Sequence, residues 1–374
     1  MAFDYDLNRK GWFNTAQNFA SILMPASNYP ASYVYAMFMA LSGHLIGRGA
    51  FLRYPTRLYP NHYICLVGPS ALTHKSTAIT LALESLGDIE QEIQSIRSLT
   101  TVQGLLMSMV EGMGSTLVIL DEIANMLQKK RVDYATDLIS RIVELYACPM
   151  QAGTFTRHDP IKVTDTFLTI IAGSTTEWLQ STLSPNDMLA GFGNRMTFVL
   201  GDPRPEKSWP GIPKWMDLDW ERLQTFEGEC RLDEDARDTW DSYYKKFTAH
   251  QRRSTPFTRT LAERIPEKIL KAAIVMAAWY QDTIISGEIL EQAIDWGEFL
   301  HECVERLTPT FDAPERRVLA LIKRQGIASK DALFQELSHD LPVKRIRECL
   351  DNLKWLGYVS VSKTGEISLL EEET

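Results

Sequence analysis

The sequence predicts an α/β protein whose core is a largely parallel sheet with helices on both faces. Three observations predict it. Short apolar runs recur at Tyr63–Val67, Thr116–Leu120, Phe167–Ala172 and Met196–Leu200. The first three stop abruptly, at Gly68-Pro69, at Asp121-Glu122 and at Gly173-Ser-Thr-Thr176. Helical patterns lie between them, at Lys75–Leu86 before Gly87 and at Tyr134–Tyr146. Runs apolar without alternation fit strands buried on both faces. Strands that alternate with helices build parallel sheets.

Taken in order, residues 1–60 read as a helical lead-in that reaches Arg48, followed by a polar crossover over Arg53–Asn61. Gly11 to Gly47 carries no Asp, Glu, Lys or Arg. Its densest part, Ala31–Gly47, is shorter than the roughly 20 apolar residues a membrane helix needs. It also holds Ser32, Ser42 and His44, so it reads as a buried core helix. Residues 61–203 hold the predicted sheet. A Pro-rich stretch, Asp202–Pro213, ends that pattern, and residues 214–308 read as an α-helical lid. There Leu270, Ile274, Ala277 and Ala278 share one helix face, and Ile289, Ala293, Trp296 and Leu300 another. Thr308-Pro309 and Ala313-Pro314 mark a further boundary before a module over 314–370.

Composition bounds the function. The chain has 374 residues, 45% hydrophobic and 23% charged, with a net charge of −9. That excludes a disordered or low-complexity chain and a protein that coats nucleic acid through bulk charge. The five cysteines are scattered without a CxxC pair, and the seven histidines form no HExxH. A disulfide framework and a cysteine zinc site are therefore not expected. An acidic N-terminus unlike a signal peptide and free cysteines point to the cytoplasm, with no membrane partner.

Gly68-Pro-Ser-Ala-Leu-Thr-His-Lys75-Ser76-Thr77 follows a predicted strand and opens a predicted helix, the context of a P-loop. In that reading the loop and helix N–H groups point at phosphate oxygens. Lys75 neutralises the β and γ phosphates of ATP, and the Ser76 hydroxyl ligates Mg²⁺. Five residues separate Gly68 from His74, one more than usual, and His74 stands where a second glycine is customary. An ordinary strand-to-helix turn carrying a chance Lys-Ser also fits these residues.

Asp121 and Glu122 end a buried strand, at the edge where open α/β sheets bind ligands. Asp121 would hold Mg²⁺ and Glu122 would act as general base toward water; a solvated Asp-Glu helix cap also fits. Ser174 or Thr175, ending the next strand, would hold the attacking water, or cap the helix before Glu177-Trp178. Arg195, in Gly191-Phe-Gly-Asn-Arg195, would act as an arginine finger across a subunit boundary, or form a structural ion pair. Together these motifs predict a P-loop NTPase core of the RecA/AAA+ kind.

Residues 314–370 read as a winged helix: three short helices from Arg316, Lys330 and Pro342, then a hairpin over Tyr358–Leu369. Lys344, Arg345 and Arg347 stand at the start of the third helix, where a recognition helix meets the major groove, and Lys363 lies on the wing. The module holds ten Lys or Arg against eight Asp or Glu between 312 and 370, so a protein-docking module remains the rival. Lys129-Lys130-Arg131 is a second candidate DNA contact, or a solvated helix face.

The chain resembles the phage- and plasmid-associated P-loop ATPases of the primase-associated "domain of unknown function" type, which are related to superfamily 3 and AAA+ helicases. The likeness covers about residues 15–305. It rests on Tyr35–Arg48, Pro60–Ser70, His74-Lys-Ser76, Leu120-Asp-Glu122, Thr156-Arg157, Gly193-Asn-Arg195 and Arg264–Ala273. It implies ATP and Mg²⁺ as cofactors and hydrolysis coupled to action on DNA in the replication of a mobile element, helicase-like or helicase-loader-like. It also implies a homo-oligomer, such as a hexameric ring, and replication partner proteins. Arg264 becomes a candidate second phosphate contact, or an exposed helix-start residue. The alternative expectation is a nucleotide-binding regulator that does not hydrolyse, or a repressor acting through the winged helix.

Overall fold

The computed structural model describes residues 3–123, 126, 133–154, 160–182, 191–205, 207–214, 218–307, 313–325, 327–362 and 364–370. Its central sheet has five strands, β1 (Tyr63–Val67), β2 (Ser95–Ile96), β3 (Ser115–Leu120), β4 (Phe167–Ser174) and β5 (Thr197–Leu200). All pairings are parallel and the order is β2-β3-β4-β1-β5. Every residue of β1 and β4 is buried, as continuous apolar runs require when both faces are covered. The register sets Val67 beside Ser174 and Leu120 beside Ala172, so the ends of β1, β3 and β4 meet at one edge.

The densest part of the uncharged run forms the helix Ala31–Ile46, buried on nearly every side. A helix apolar all round belongs inside a core, and this one packs on β1, β4 and β5. Asp4 caps it from a distance, accepting from the backbone N–H groups of Ala31 and Ser32 at 2.9 and 2.8 Å. No helix among the described residues is long and apolar enough to cross a membrane.

The polar crossover differs from the expectation. Ala50–Tyr54 and Thr56–Leu58 form an antiparallel pair, and Ala50–Tyr54 pairs in parallel with Gly228–Leu232. Ile284–Ile285 completes a second, four-stranded sheet. The region expected to be wholly helical thus contributes two strands. Its helices Ile265–Tyr280 and Gly287–Arg306 share one continuous apolar core with the central sheet.

The C-terminal module comprises helices Ala313–Gln325, Lys330–Leu337 and Val343–Trp355 and a three-stranded antiparallel sheet. Strand Glu366–Leu369 lies between Val359–Val361 and a short strand, Ile327–Ser329, not foreseen from the sequence. The module has its own apolar cluster around Val318, Ile322, Leu333, Ile346, Leu353 and Ile367. Leu356 joins the main core instead.

Candidate functional site

The site is built at the carboxyl edge of β1, β3 and β4. Gly68 leaves β1 against the hydroxyl of Tyr33. A Cβ there would stand 2.5 Å from the Tyr33 hydroxyl oxygen and 2.8 Å from the Thr73 side chain, so only glycine fits. The Tyr33 hydroxyl donates to the Val67 carbonyl at 2.7 Å, and the buried Thr73 hydroxyl donates to the Pro69 carbonyl at 3.0 Å. The loop is thereby closed on itself and pinned to the core helix. Neither Tyr33 nor Thr73 was singled out from the sequence. A tyrosine in an uncharged run looks like packing, and its hydroxyl contact depends on a strand 34 residues away.

His74 has φ 47° and ψ 42°, the left-handed conformation that a glycine would take without cost. Ala71, with φ 62°, is the loop's second left-handed residue. Left-handed backbone costs an L-residue roughly 1–2 kcal/mol, so this loop is held in shape by its surroundings. The His74 side chain makes no capping bond to the following helix, Lys75–Glu84. Ser76 and Thr77 lie exposed in its first turn.

Lys75 folds back over the loop. Its Nζ donates to the Gly68 carbonyl at 2.8 Å, with the Pro69 carbonyl at 3.4 Å and Thr73 Oγ1 at 3.5 Å. Burial lowers its pKa below the ordinary lysine value, and the Glu122 carboxylate opposes that shift. Gly173 permits the close approach across the crevice: a Cβ there would meet the Asp121 carbonyl at 2.7 Å and Lys75 Cδ at 3.7 Å.

Two backbone bonds lock the three strand ends together. The Gly68 N–H donates to the Ser174 carbonyl at 3.2 Å, and the Ile123 N–H to the Gly173 carbonyl at 2.9 Å. Past β3, Asp121 is exposed and Glu122 half-buried. The fully buried Ser174 hydroxyl donates to Glu122 Oε1 at 2.7 Å. Thr175 is occupied otherwise: its Oγ1 accepts from the Trp178 N–H at 3.2 Å and caps the helix Thr176–Thr182. Ser174 and Thr175, alternatives in the sequence, thus have separate roles. The exposed Ser76 hydroxyl and Asp121 carboxylate are hard oxygen donors of the kind Mg²⁺ takes.

Arg195 and Arg264 lie at the opposite edge of the sheet. The Arg195 guanidinium is 5.8 Å and that of Arg264 5.9 Å from the ring of Tyr146, which packs 5.0 Å from Tyr63, the first residue of β1. Val67 lies about 13 Å further along that strand. Arg264 therefore does not approach the Lys75 loop of its own chain, which corrects its assignment as a second phosphate contact there. Glu267 holds its Nη1 at 2.5 and 2.6 Å. Arg195 Nη1 donates to the Gly191 carbonyl at 2.8 Å, while the Nε atoms of both arginines are buried without a partner among the described residues. Burial lowers the Arg195 pKa, and Arg264 beside it adds to the shift.

The same edge holds two buried lysines that the sequence reading passed over as helix periodicity. Lys268 Nζ donates to the Met196 carbonyl at 2.6 Å, and Lys271 Nζ to Asn61 Oδ1 at 2.7 Å. Burial pushes Lys268 down to about 7 and Lys271 down to about 8.

In the C-terminal module, Lys344 and Arg347 are exposed. Arg347 stacks 5.6 Å from the Phe334 ring, and Arg345 pairs with Glu348 at 3.1 Å. Arg317 and Arg324 are engaged by Asp340 and Glu336. Lys129, Lys130, Arg131, Lys363 and the Thr156-Arg157 stretch lie outside the described residues. No protein-family model matches the chain, and no curated protein matches it.

Proposed function

We propose that the chain is a P-loop ATPase of the RecA/AAA+ kind that acts on DNA through a C-terminal winged helix, helicase-like or helicase-loader-like, in the replication of a mobile element. The observation that carries the reading is the crevice itself. A lysine loop, an Asp-Glu pair and a buried serine come from three adjacent parallel strands to one edge, and the serine grips the glutamate at 2.7 Å.

The chemistry follows from that placement. Lys75, released from the Gly68 carbonyl, turns its charge to the β and γ phosphates. Glu122, aimed by Ser174, accepts the proton of the attacking water. Ser76 and Asp121 would hold Mg²⁺, which supplies charge neutralisation at the phosphates when bound. Arg195 is too far from its own loop, which favours a role at a neighbouring subunit's site in a homo-oligomer, where it would stabilise charge on the transferred phosphoryl group. The helix Val343–Trp355 would present Lys344 and Arg347 to DNA.

A second reading has two observations behind it. Lys75 is satisfied by its own loop, and His74 holds a conformation a glycine would take freely. These favour a nucleotide-binding regulator that does not hydrolyse. Phosphate release with and without single-stranded DNA, for the wild type and Glu122→Gln, separates the two. DNA-stimulated turnover lost in Glu122→Gln supports the ATPase. Tight ATP binding with no turnover in either protein supports the regulator, and no ATP binding at all sinks both.

A further inference from the structure

We propose that His250, His301 and Glu305 form a three-ligand site for a divalent transition metal, best suited to Zn²⁺, that clips two helices of the main body together. The site is separate from the Lys75 crevice and does not depend on the function proposed for it.

His301 and Glu305 sit four residues apart on the helix Gly287–Arg306, which places them on one face, one turn apart. His250 stands in the last turn of the neighbouring helix, Glu234–Arg253, and faces them. His250 Nε2 lies 3.3 Å and His301 Nδ1 3.5 Å from the same oxygen, Glu305 Oε1. The two imidazole rings are 4.7 Å apart and nearly perpendicular, and one ligand atom from each of the three residues falls within 4.8 Å of the others.

These separations fit a metal better than they fit hydrogen bonds. A tetrahedral Zn²⁺ with bonds of about 2.0–2.2 Å has ligand-to-ligand edges of about 3.3–3.6 Å. A good N–H···O bond spans about 2.7–3.2 Å, shorter than either contact here. The other ring nitrogen, His301 Nε2, is buried with no hydrogen-bond partner among the described residues, which leaves the ring free of a bond that would fix Nδ1 in a competing role there. Two nitrogens and one carboxylate oxygen select Zn²⁺ and its neighbours over Mg²⁺ or Ca²⁺. Among the described residues the site has three protein ligands, which leaves a fourth position of a tetrahedron, and His250 and Glu305 are exposed.

The absence of any HExxH or CxxC hides this site in the sequence. Its ligands are 55 residues apart across two helices, and only the packing of those helices joins them. A bound metal would tie the end of Glu234–Arg253 to the helix that ends just before Leu307, where the main body gives way to the C-terminal module.

The test uses the full chain without an affinity tag, stripped with a chelator and titrated with Co²⁺ alone. Expected are visible ligand-field bands of tetrahedral intensity that saturate at one equivalent, vanish on addition of Zn²⁺, and survive a large excess of Mg²⁺. His250→Asn and Glu305→Gln should each weaken Co²⁺ binding by about tenfold or more. Zn²⁺ should raise the Tm of the wild type and leave that of His250→Asn unchanged. His250 is exposed, so that variant keeps its fold, which circular dichroism checks. Absence of the bands in the wild type, or unaltered Co²⁺ affinity in both variants, overturns the proposal. Weak colour typical of octahedral oxygen ligation, removed by Mg²⁺, would place the metal at Ser76 and Asp121 instead and equally overturns it.

Discussion

Replacing Ser174 with alanine removes a single side-chain bond from the candidate site and nothing else. Ser174 also accepts the Gly68 N–H, but through its backbone carbonyl, which alanine retains. The lost bond, 2.7 Å from hydroxyl to Glu122 Oε1, is charge-assisted and donated by a fully buried group. Hydrogen bonds to charged groups contribute about 1.5–3 kcal/mol. At about 1.36 kcal/mol per decade of rate, a turnover that depends on the placement of Glu122 should fall about ten- to a hundredfold. Glu122 is half-buried, so water partly replaces the serine and the lower end is expected. ATP affinity, which the proposed function assigns to the Lys75 loop, should be unchanged. The assay is single-turnover phosphate release together with equilibrium binding of a fluorescent ATP analogue. A double-mutant cycle isolates the pair: in a Glu122→Gln background, Ser174→Ala should cost little more. Equal losses in both backgrounds, or full turnover in Ser174→Ala, would refute the view that Ser174 aims Glu122.

Three other outcomes are expected. Arg195→Ala and Lys75→Ala chains, each inactive alone, should recover part of the ATPase activity when mixed, because one mixed interface keeps both residues; mixed oligomers that stay inactive exclude action in trans. Lys344→Ala with Arg347→Ala should flatten the dependence of DNA affinity on salt by a slope of about 2, at roughly 0.9 per phosphate contact, as read by fluorescence anisotropy. An unchanged slope removes this helix from the DNA contact. Finally, His44 and His62 are held neutral by burial, pushed down to about 4 and about 3. Below pH 6.5 the unfolded chain gains protons that the folded chain cannot take. Each histidine should therefore cost up to about 1.4 kcal/mol of stability per pH unit as the pH falls from 6.5 toward those values. Chemical denaturation of wild type and His44→Gln at pH 7 and pH 5 checks this, and identical pH dependence in the two would contradict it.

What the sequence made legible was local. Strands β1, β3 and β4 were readable because both of their faces are buried, so their apolar runs are unbroken. The helix Ala31–Ile46 was readable for the same reason. Strands of two or three residues, such as Ser95–Ile96 and Ile284–Ile285, are too short to carry a period. Gly228–Leu232 places a charge at every second residue, which does not separate it from the helical segments around it. Within the site, the left-handed turn at His74 was foreseeable from the place it holds before Lys75. The division between Ser174 and Thr175 was not, because it depends on where β4 ends. The strand runs two residues past its last apolar side chain, Ala172, which keeps Ser174 in register beside Val67 and delivers Thr175 to the next helix.

Arg264 and the His250, His301 and Glu305 cluster illustrate the remaining gap from opposite sides. Arg264 has a motif-like setting at a helix start, yet the sheet puts it about one strand length from the loop it was expected to serve. The three metal-ligating side chains have no motif at all, yet helix packing brings their donor atoms within 4.8 Å. Periodicity reports which face of an element is buried and so places residues relative to their own helix or strand. Which edge of the sheet a helix end reaches, and which neighbour it meets there, is set by the crossovers between elements. In this chain those crossovers put Lys75, Glu122 and Ser174 at the carboxyl edge and leave Arg195 at the amino edge, its Nε buried without a partner among the described residues. Both arginines stand beside the Tyr146 ring at that edge, so the same placement keeps Arg195 and Arg264 alike from the Lys75 crevice of their own chain, and the proposed role of Arg195 is one that only a neighbouring copy could receive.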